Sequence, residues 1–479
     1  MSKAFILGTG AAFGNHYTTE EMKAAFRRQR LAAGDTECDL DFADRVLDAC
    51  GFDMHSVALP LEDVFRRMSR SEYLEHRMTA LIDLAQKAAE NALAMWGGRR
   101  SEITHLCWGT MTGAMHSPTI DILLTKRLGL SCDVERTSIE GMGCLTGYRL
   151  LNIGRQIAKG NPNARVLVVE GDLRSAIGNS LPDHAGRADI VAASLFRDAA
   201  SAAVVSGEKL AEGERACYEL ICGKSRIVEG TEHLVDYREL DCGEIRLYLH
   251  KELPNAVGHA EPAFIKALIA EARASKADPP EVTEMDIACH TGGPRVLHEV
   301  AKAADATDEQ LAASWAVMKA HGNLSGASNL SVLDYQNRVV ENGRQWVLCL
   351  AMGPGVCIEG LLLQRVSSPP RITESLLRLV SRFVSRASDT CPEEEAIEQR
   401  VLRRQRRSKS ESAASIFEAV LADVEEEEEE EEEQEEQEEA DGITTSHTND
   451  TLLPQKEDEE DKESACWRPK RPSPTHGGA

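Results

Sequence analysis

One cysteine stands between glycines at the start of a helical run in GMGCLTGYRLL, residues 141–151. Gly141 and Gly143 permit a tight turn, and Leu145, Leu150, Leu151, Ile153 and Ile157 then recur with helical spacing. Cys144 is therefore expected at a helix N-terminus, where unpaired amides and the helix dipole favour a thiolate. A thiolate attacks thioesters and other acyl groups. The competing expectation is plain packing, because free cysteines are among the most buried residue types.

A nucleophilic cysteine gains from an imidazole that pairs with it or takes its proton. Of the 14 histidines, His290 ends the apolar run MDIAC and precedes Thr291, Gly292, Gly293 and Pro294. That context places it at the C-terminal edge of a sheet, where α/β proteins build their sites. Gly292 and Gly293 would let a substrate backbone or pantetheine arm come close. In AHGNLSGAS, residues 320–328, Asn323 can offer its amide NH2 to a developing oxyanion or enolate, or simply cap a helix. His321 beside it competes for the imidazole role, and spacing alone does not separate the two.

The elements that must position these groups follow from the apolar pattern. Buried strands are expected over 103–110, 164–170, 201–205, 285–290, 345–351 and 356–363. Helices are expected over 72–96, 144–159 and 261–274. Such alternation is that of an α/β domain. In each half a buried strand (ITHLCWGTMTG, then MDIACHTGG) runs into a glycine-containing turn and a helix, which suggests a duplicated unit.

Charge separates this body from the C-terminal stretch. Residues 367–479 carry 15 Lys and Arg against 30 Asp and Glu, and so hold −15 of the formal −25. A body of only −10 argues against nucleic-acid binding, which needs clustered cations. The prolines at 369 and 370 end the last strand, and nine consecutive glutamates at 425–433 are expected to be disordered. An amphipathic basic segment at 371–386 could dock on the core, a partner or an anionic membrane surface. Thirteen cysteines without a CxxC spacing suit a reducing compartment. The first residues read as a strand and turn rather than a signal peptide, and no apolar run is long enough for a membrane span. A cytoplasmic location is expected.

Taken in order, GMGC (141–144), ACHTGGPRVL (288–297) and HGNLSGAS (321–328) resemble the motifs of type III polyketide synthases, the chalcone-synthase-like enzymes of the thiolase superfamily. The resemblance extends to SLFRDAASAAVVSG (194–207) and AMGPGVCIEGLLL (351–363), and covers about residues 3–365. It implies an α/β, thiolase-like fold: two related βαβαβ-type halves in a layered αβαβα core. Residues 1–210 would carry Cys144, residues 211–366 His290 and Asn323, and residues 367–479 would be an acidic low-complexity tail.

By the same resemblance Cys144 takes the acyl group of a starter CoA thioester. His290 keeps Cys144 ionised and, with Asn323, binds the malonyl-CoA carbonyl and stabilises the enolate left as CO2 departs. No metal or redox cofactor is implied, and a homodimer is. Phe196 matches a gatekeeping phenylalanine, and Thr112, Ile177 and Leu247 fall near cavity-shaping positions. There are departures. His55 stands where fungal members place an arginine, and only Arg66 and Arg67 come after it in the region that meets CoA phosphates in plant members. Arg197 and Ala199 replace glycines beside Phe196. Leu247 replaces a phenylalanine, which points to a fatty acyl starter and an alkylpyrone or alkylresorcinol product.

Three alternatives remain at this level. A ketoacyl-carrier-protein synthase of the third kind would follow its histidine with Gln-Ala-Asn rather than Thr291-Gly292-Gly293. A thiolase would need a second cysteine, for which Cys357 is a weak candidate inside an apolar strand. The fold could also serve as a non-catalytic interaction module.

Overall fold

Runs such as RVLVVEGDL and WVLCLAMG are buried at every position, so they can only be strands covered on both faces. The computed structural model describes residues 2–366, apart from 114–116, 180, 182–184, 240–244, 251 and 341–342. The expectations for residues 367–479 lie outside the described residues. Nine strands form the main sheet. The first five are β1 (Ala4–Phe13), β2 (His105–Thr110), β3 (Glu135–Glu140), β4 (Arg165–Leu173) and β5 (Asp198–Gly207). The other four are β6 (Tyr218–Ile227), β7 (Asp286–Cys289), β8 (Trp346–Gly353) and β9 (Cys357–Arg365). Their spatial order is β7-β8-β9-β6-β1-β5-β4-β2-β3.

The duplication shows in the connectivity. β1 pairs antiparallel with β5, β5 antiparallel with β4, and β4 parallel with β2. In the second half β6, β9, β8 and β7 repeat that sequence of pairings. The halves join through a ladder of two residue pairs, Phe5 with Glu219 and Ile6 with Tyr218.

Helix α1 (Arg70–Trp96) starts at a Ser69 cap, ends at left-handed Gly97 and covers β1, β4 and β5. Helix α2 (Thr146–Gly160) packs on strands of both halves, and so does α4 (Ala327–Arg338), which comes after α3 (Ala312–His321). Both α2 and α4 are buried on nearly every side, as central layers must be. Leu253–Ala274 covers β6 and β9 from outside, completing the αβαβα order of a thiolase-like fold.

Two expected boundaries are corrected. The helix expected from 261 begins at Leu253 and runs through Pro262. Burial of Val257, Phe264, Ile265, Leu268 and Ile269 on one face outweighs the amide that proline removes. The helix expected from Cys144 begins at Thr146, because Gly143–Leu145 forms a single 3-10 turn ahead of it. No described helix is long and apolar enough to cross a membrane.

Candidate active site

Cys144 sits in that turn because its neighbours admit nothing larger. Gly143 has φ +61°, and a Cβ there would lie 2.5 Å from Cδ of Pro354, in the loop between β8 and β9. The second half thus presses the cysteine turn into shape. Asn329 of α4 donates to the Cys144 carbonyl at 3.0 Å, fixing the turn from the other side.

His290, Asn323 and Cys144 meet at Ser325, a residue that the sequence alone does not single out. Ser325 is fully buried and holds φ +54°, a conformation costly for a residue with a Cβ. Its Oγ lies 3.8 Å from Cys144 Sγ, and its N–H donates to Asn323 Oδ1 at 3.0 Å. The His290 ring lies near enough to the Ser325 backbone to be influenced by it, with its buried Nδ1 left without a hydrogen-bond partner. Asn323 in turn donates from Nδ2 to the Gly292 carbonyl at 3.2 Å. Thr291 and Ser328, 2.7 Å apart, tie the turn after β7 to the start of α4. The only signal in the sequence is a small polar residue between Leu324 and Gly326.

The charge state of this cluster differs from the sequence expectation. Burial pushes the Cys144 thiol up from its ordinary value, against the opposing pull of the Arg174 guanidinium and the Ser325 hydroxyl. Burial likewise takes His290 down to about 3, and the Ser325 backbone only partly offsets it. Burial thus favours the neutral thiol and the neutral imidazole over the thiolate expected at a helix start. A 3-10 turn aligns few amides, so desolvation wins.

The end of β4 supplies a second group that sequence reasoning misses. Glu170, Asp172 and Arg174 alternate, so all three face the same way. Asp172 Oδ1 accepts from the Met111 amide at 2.6 Å and from the Thr112 amide and hydroxyl at 3.2 and 3.4 Å. Glu170 is fully buried with neither carboxyl oxygen hydrogen-bonded, and burial and the nearby Asp172 push it well above the carboxylate range, which favours the neutral acid. Its Oε1 presses on Gly326, where a Cβ would stand 2.5 Å away. The detectable signal is EGDLR, three charges at alternate positions closing an apolar strand.

The remaining pocket candidates fall around this strand end. Thr112 accepts from the Leu173 amide at 2.9 Å. The Arg174 guanidinium lies 4.7 Å over the Phe196 ring and 5.0 Å over the Tyr237 ring. Leu247 is the cross-strand partner of Tyr237. Phe196 bridges to Asn323, and the Arg197 amide donates to the Asn323 carbonyl at 2.8 Å. Ile177 is buried in the same large apolar cluster as Phe196 and Leu247, with Cys144 packed against it. Gly292 stands against the His290 ring, and Gly293, at φ +138°, begins the helix Pro294–Ala303.

The basic departures resolve into structure. Arg197 is buried, bonding His55 Nδ1 at 2.7 Å and the carbonyls of Ala193, Ser194 and Phe196. His55 is fully buried and held neutral by burial and by that cation, so it cannot meet a CoA phosphate. His321 stacks on Phe13 at 3.6 Å and pairs with His16 at 2.7 Å, turned to partners other than the Ser325 cluster.

Comparison with known proteins completes the description. Family models match two stretches: "Chalcone and stilbene synthases, N-terminal domain" over residues 66–209 and the corresponding C-terminal domain over 219–367. "Type III polyketide synthase 21" of Oryza sativa subsp. japonica is 30% identical over 291 residues, 60% of this chain and 73% of that protein. "Probable polyketide synthase 1" of Dictyostelium discoideum is 32% identical over 284 residues, 59% of this chain but only 9% of that protein. The crystal structure of the C-terminal type III polyketide synthase domain of a type I/III hybrid from Dictyostelium superposes with a TM-score of 0.70 at 26% identity. That match covers 76% of this chain and 100% of that one. The chain belongs to the chalcone and stilbene synthase family, the type III polyketide synthases, and is an acyltransferase of that type.

Proposed function

We propose, from that membership, that this chain loads an acyl-CoA starter on Cys144 and extends it with malonyl-CoA by decarboxylative Claisen condensation. The observation that carries the reading is that Cys144 and Asn323 meet at Ser325 while Asn323 also binds the carbonyl of Gly292, which stands against the His290 ring. As the Cys144 sulfur attacks the starter thioester, His290 takes the thiol proton, and coenzyme A leaves with one proton. Malonyl-CoA then places its thioester carbonyl toward His290 and the Asn323 amide. CO2 departs, and the electron pair of the broken C–C bond becomes the enolate those donors stabilise. The enolate carbon attacks the Cys144 thioester, freeing the thiolate and leaving a β-ketoacyl-CoA two carbons longer, whose acyl group is transferred back to Cys144 with loss of coenzyme A for the next extension.

The same reading assigns residues 1–210 to the cysteine-bearing half and 211–366 to the half bearing His290 and Asn323. Phe196 stands at the mouth, with Thr112, Ile177 and Leu247 lining the cavity and Gly292 and Gly293 letting the pantetheine arm pass. The aliphatic Leu247 favours a fatty acyl starter and an alkylpyrone or alkylresorcinol product. CoA thioesters suffice as reactants with no metal, the assembly is a homodimer, and the setting is the cytoplasm. Incubating the full chain with malonyl-CoA and short, aromatic and long acyl-CoAs, with products read by mass, tests this. Polyketides and acylated Cys144 are expected, with turnover falling on the order of 10³-fold or more in Cys144→Ala. No CoA release with any starter overturns the reading.

A further inference from the structure

We infer that Arg174 is the anion-binding group of the acyl cavity, holding the growing β-keto chain on Cys144 in its enolate form. The inference deepens the proposed reaction and rests on it. Arg174 comes directly after the last residue of β4 and is only 3% exposed, yet its Nε and Nη1 have no hydrogen-bond partner. A buried guanidinium without an acceptor is costly. None of the nearby carboxyls bonds to its Nε or Nη1. Asp172 holds the Met111 and Thr112 amides with Oδ1 and its Oδ2 bonds to nothing, while burial favours the neutral form of Glu170, whose oxygens also lack partners. Asp198 receives Ser175 and the Ala58 amide.

What Arg174 does have is two aromatic faces, Phe196 and Tyr237, at 4.7 and 5.0 Å. Rings attract the flat faces of a guanidinium, while its N–H groups point outward in its own plane. The aromatic pair thus orients a cation whose donors remain available. The position is close enough to Cys144 for the guanidinium to favour its thiolate, so an anion on a chain attached to that sulfur lies within the same field.

Among the species the reaction presents, one fits. A starter acyl group is neutral. The malonyl carboxylate must leave as CO2, and a cation fixed on it would stabilise the state before the bond breaks, working against the step. After one extension the chain on Cys144 carries a CH2 between two carbonyls. Loss of one proton from that CH2 to water leaves a planar anion shared over both oxygens, which Arg174 can receive. Pinned there, the chain is kept from early ring closure, and return of the proton to the CH2 restores the electrophilic thioester for the next extension.

A non-hydrolysable 1,3-diketone thioether analogue of the acyl-CoA tests this, because its enolate has its own ultraviolet absorption. Bound to the full-length chain, it should ionise about one pH unit or more below its value in free solution. Arg174→Met should return the midpoint to the free value, and Arg174→Lys should fall between. If Arg174→Met is insoluble, Arg174→Gln makes the same comparison. Products of Arg174→Met should shift towards fewer extensions, while starter loading persists at high pH. A wild-type chain that condenses malonyl-CoA but shares one midpoint with the Met and Gln variants overturns the arginine assignment alone. A wild-type chain that releases no CoA overturns the parent reading, and this one with it.

Discussion

Strands β4 and β8 occupy the same place in the two halves, yet they do opposite things. Each runs antiparallel to one long strand and parallel to a shorter strand, and each is buried at every residue. β8, WVLCLAMG, has no ionisable group except the Cys349 thiol, and it contributes shape. Leu350 offers its carbonyl to the His290 amide at 2.9 Å, and Pro354, just past the strand, presses on Gly143. β4 buries two carboxyls, Glu170 and Asp172, and delivers Arg174. Topology decided where the strand ends would meet. Which strand could carry charge was decided by local donors, and the Met111 and Thr112 amides exist beside β4 only.

The largest effect should come from reversing that allocation. Leu350→Glu puts a carboxyl into the apolar strand with no donor provided, an uncompensated burial of several kcal/mol and enough to remove most of a domain's stability. Glu170→Leu removes a neutral acid of similar bulk and should change stability by less than about 1.5 kcal/mol. Thermal melts of the two variants decide the matter, and equal losses would mean that the strands are interchangeable after all.

A smaller effect tests how the shape-giving half acts on the charged one. Gly143→Ala meets both a positive φ and Pro354, and should cost about 2–4 kcal/mol. Gly141→Ala shares the positive φ but has open space around its Cβ, so only the conformational part, about 1–2 kcal/mol, should appear. Denaturant midpoints at matched slopes measure the difference. If the two variants lose equally, the β8–β9 loop does not brace the cysteine turn.

The contrast between the two strands also explains what can be read from the chain alone. The strands, the two central helices and the duplicated layout are legible because burial writes its period directly into Val, Leu and Ala positions. Cys144, His290 and Asn323 stand out as candidates because unusual residue types sit beside glycines. Ser325 does not, because its importance lies in a backbone angle and in a contact with Cys144 from a distant segment. The neutral state of Cys144 is hidden for the same reason. A helix start can be read locally, whereas desolvation depends on everything folded around it. Glu170, Asp172 and Arg174 are visible as alternating charges, but their meaning requires knowing which strand end they close.

The pH dependence of Cys144 modification gives a third and gentler test. A neutral buried thiol should react with iodoacetamide about tenfold faster per pH unit from 6 to 9, without a plateau, because only the thiolate attacks. Exposed Cys38 and Cys132 will also react, so the Cys144 peptide must be followed by mass. Arg174→Met should move the Cys144 curve to higher pH, since the guanidinium pulls the thiol down. A flat rate between pH 6 and 8 would restore the thiolate–imidazolium pair.

The smallest effect lies in Glu170 itself and has a definite sign. Burial and Asp172 raise its folded-state value well above the 4.5 of an exposed glutamate, so the fold holds a proton that the unfolded chain releases. Its stabilising share is complete below about pH 4.5 and is lost as pH rises towards the folded value. Glu170→Gln keeps the shape of the side chain and has no proton to lose. The two chains should therefore melt within a few degrees of each other at pH 5, and the Gln chain should melt progressively higher towards pH 8. A gap that stays constant, or that opens in favour of Glu170, would mean the carboxyl is ionised in the fold. In that case β4 would hold two buried anions, and Arg174 would be occupied by them rather than left available for a substrate.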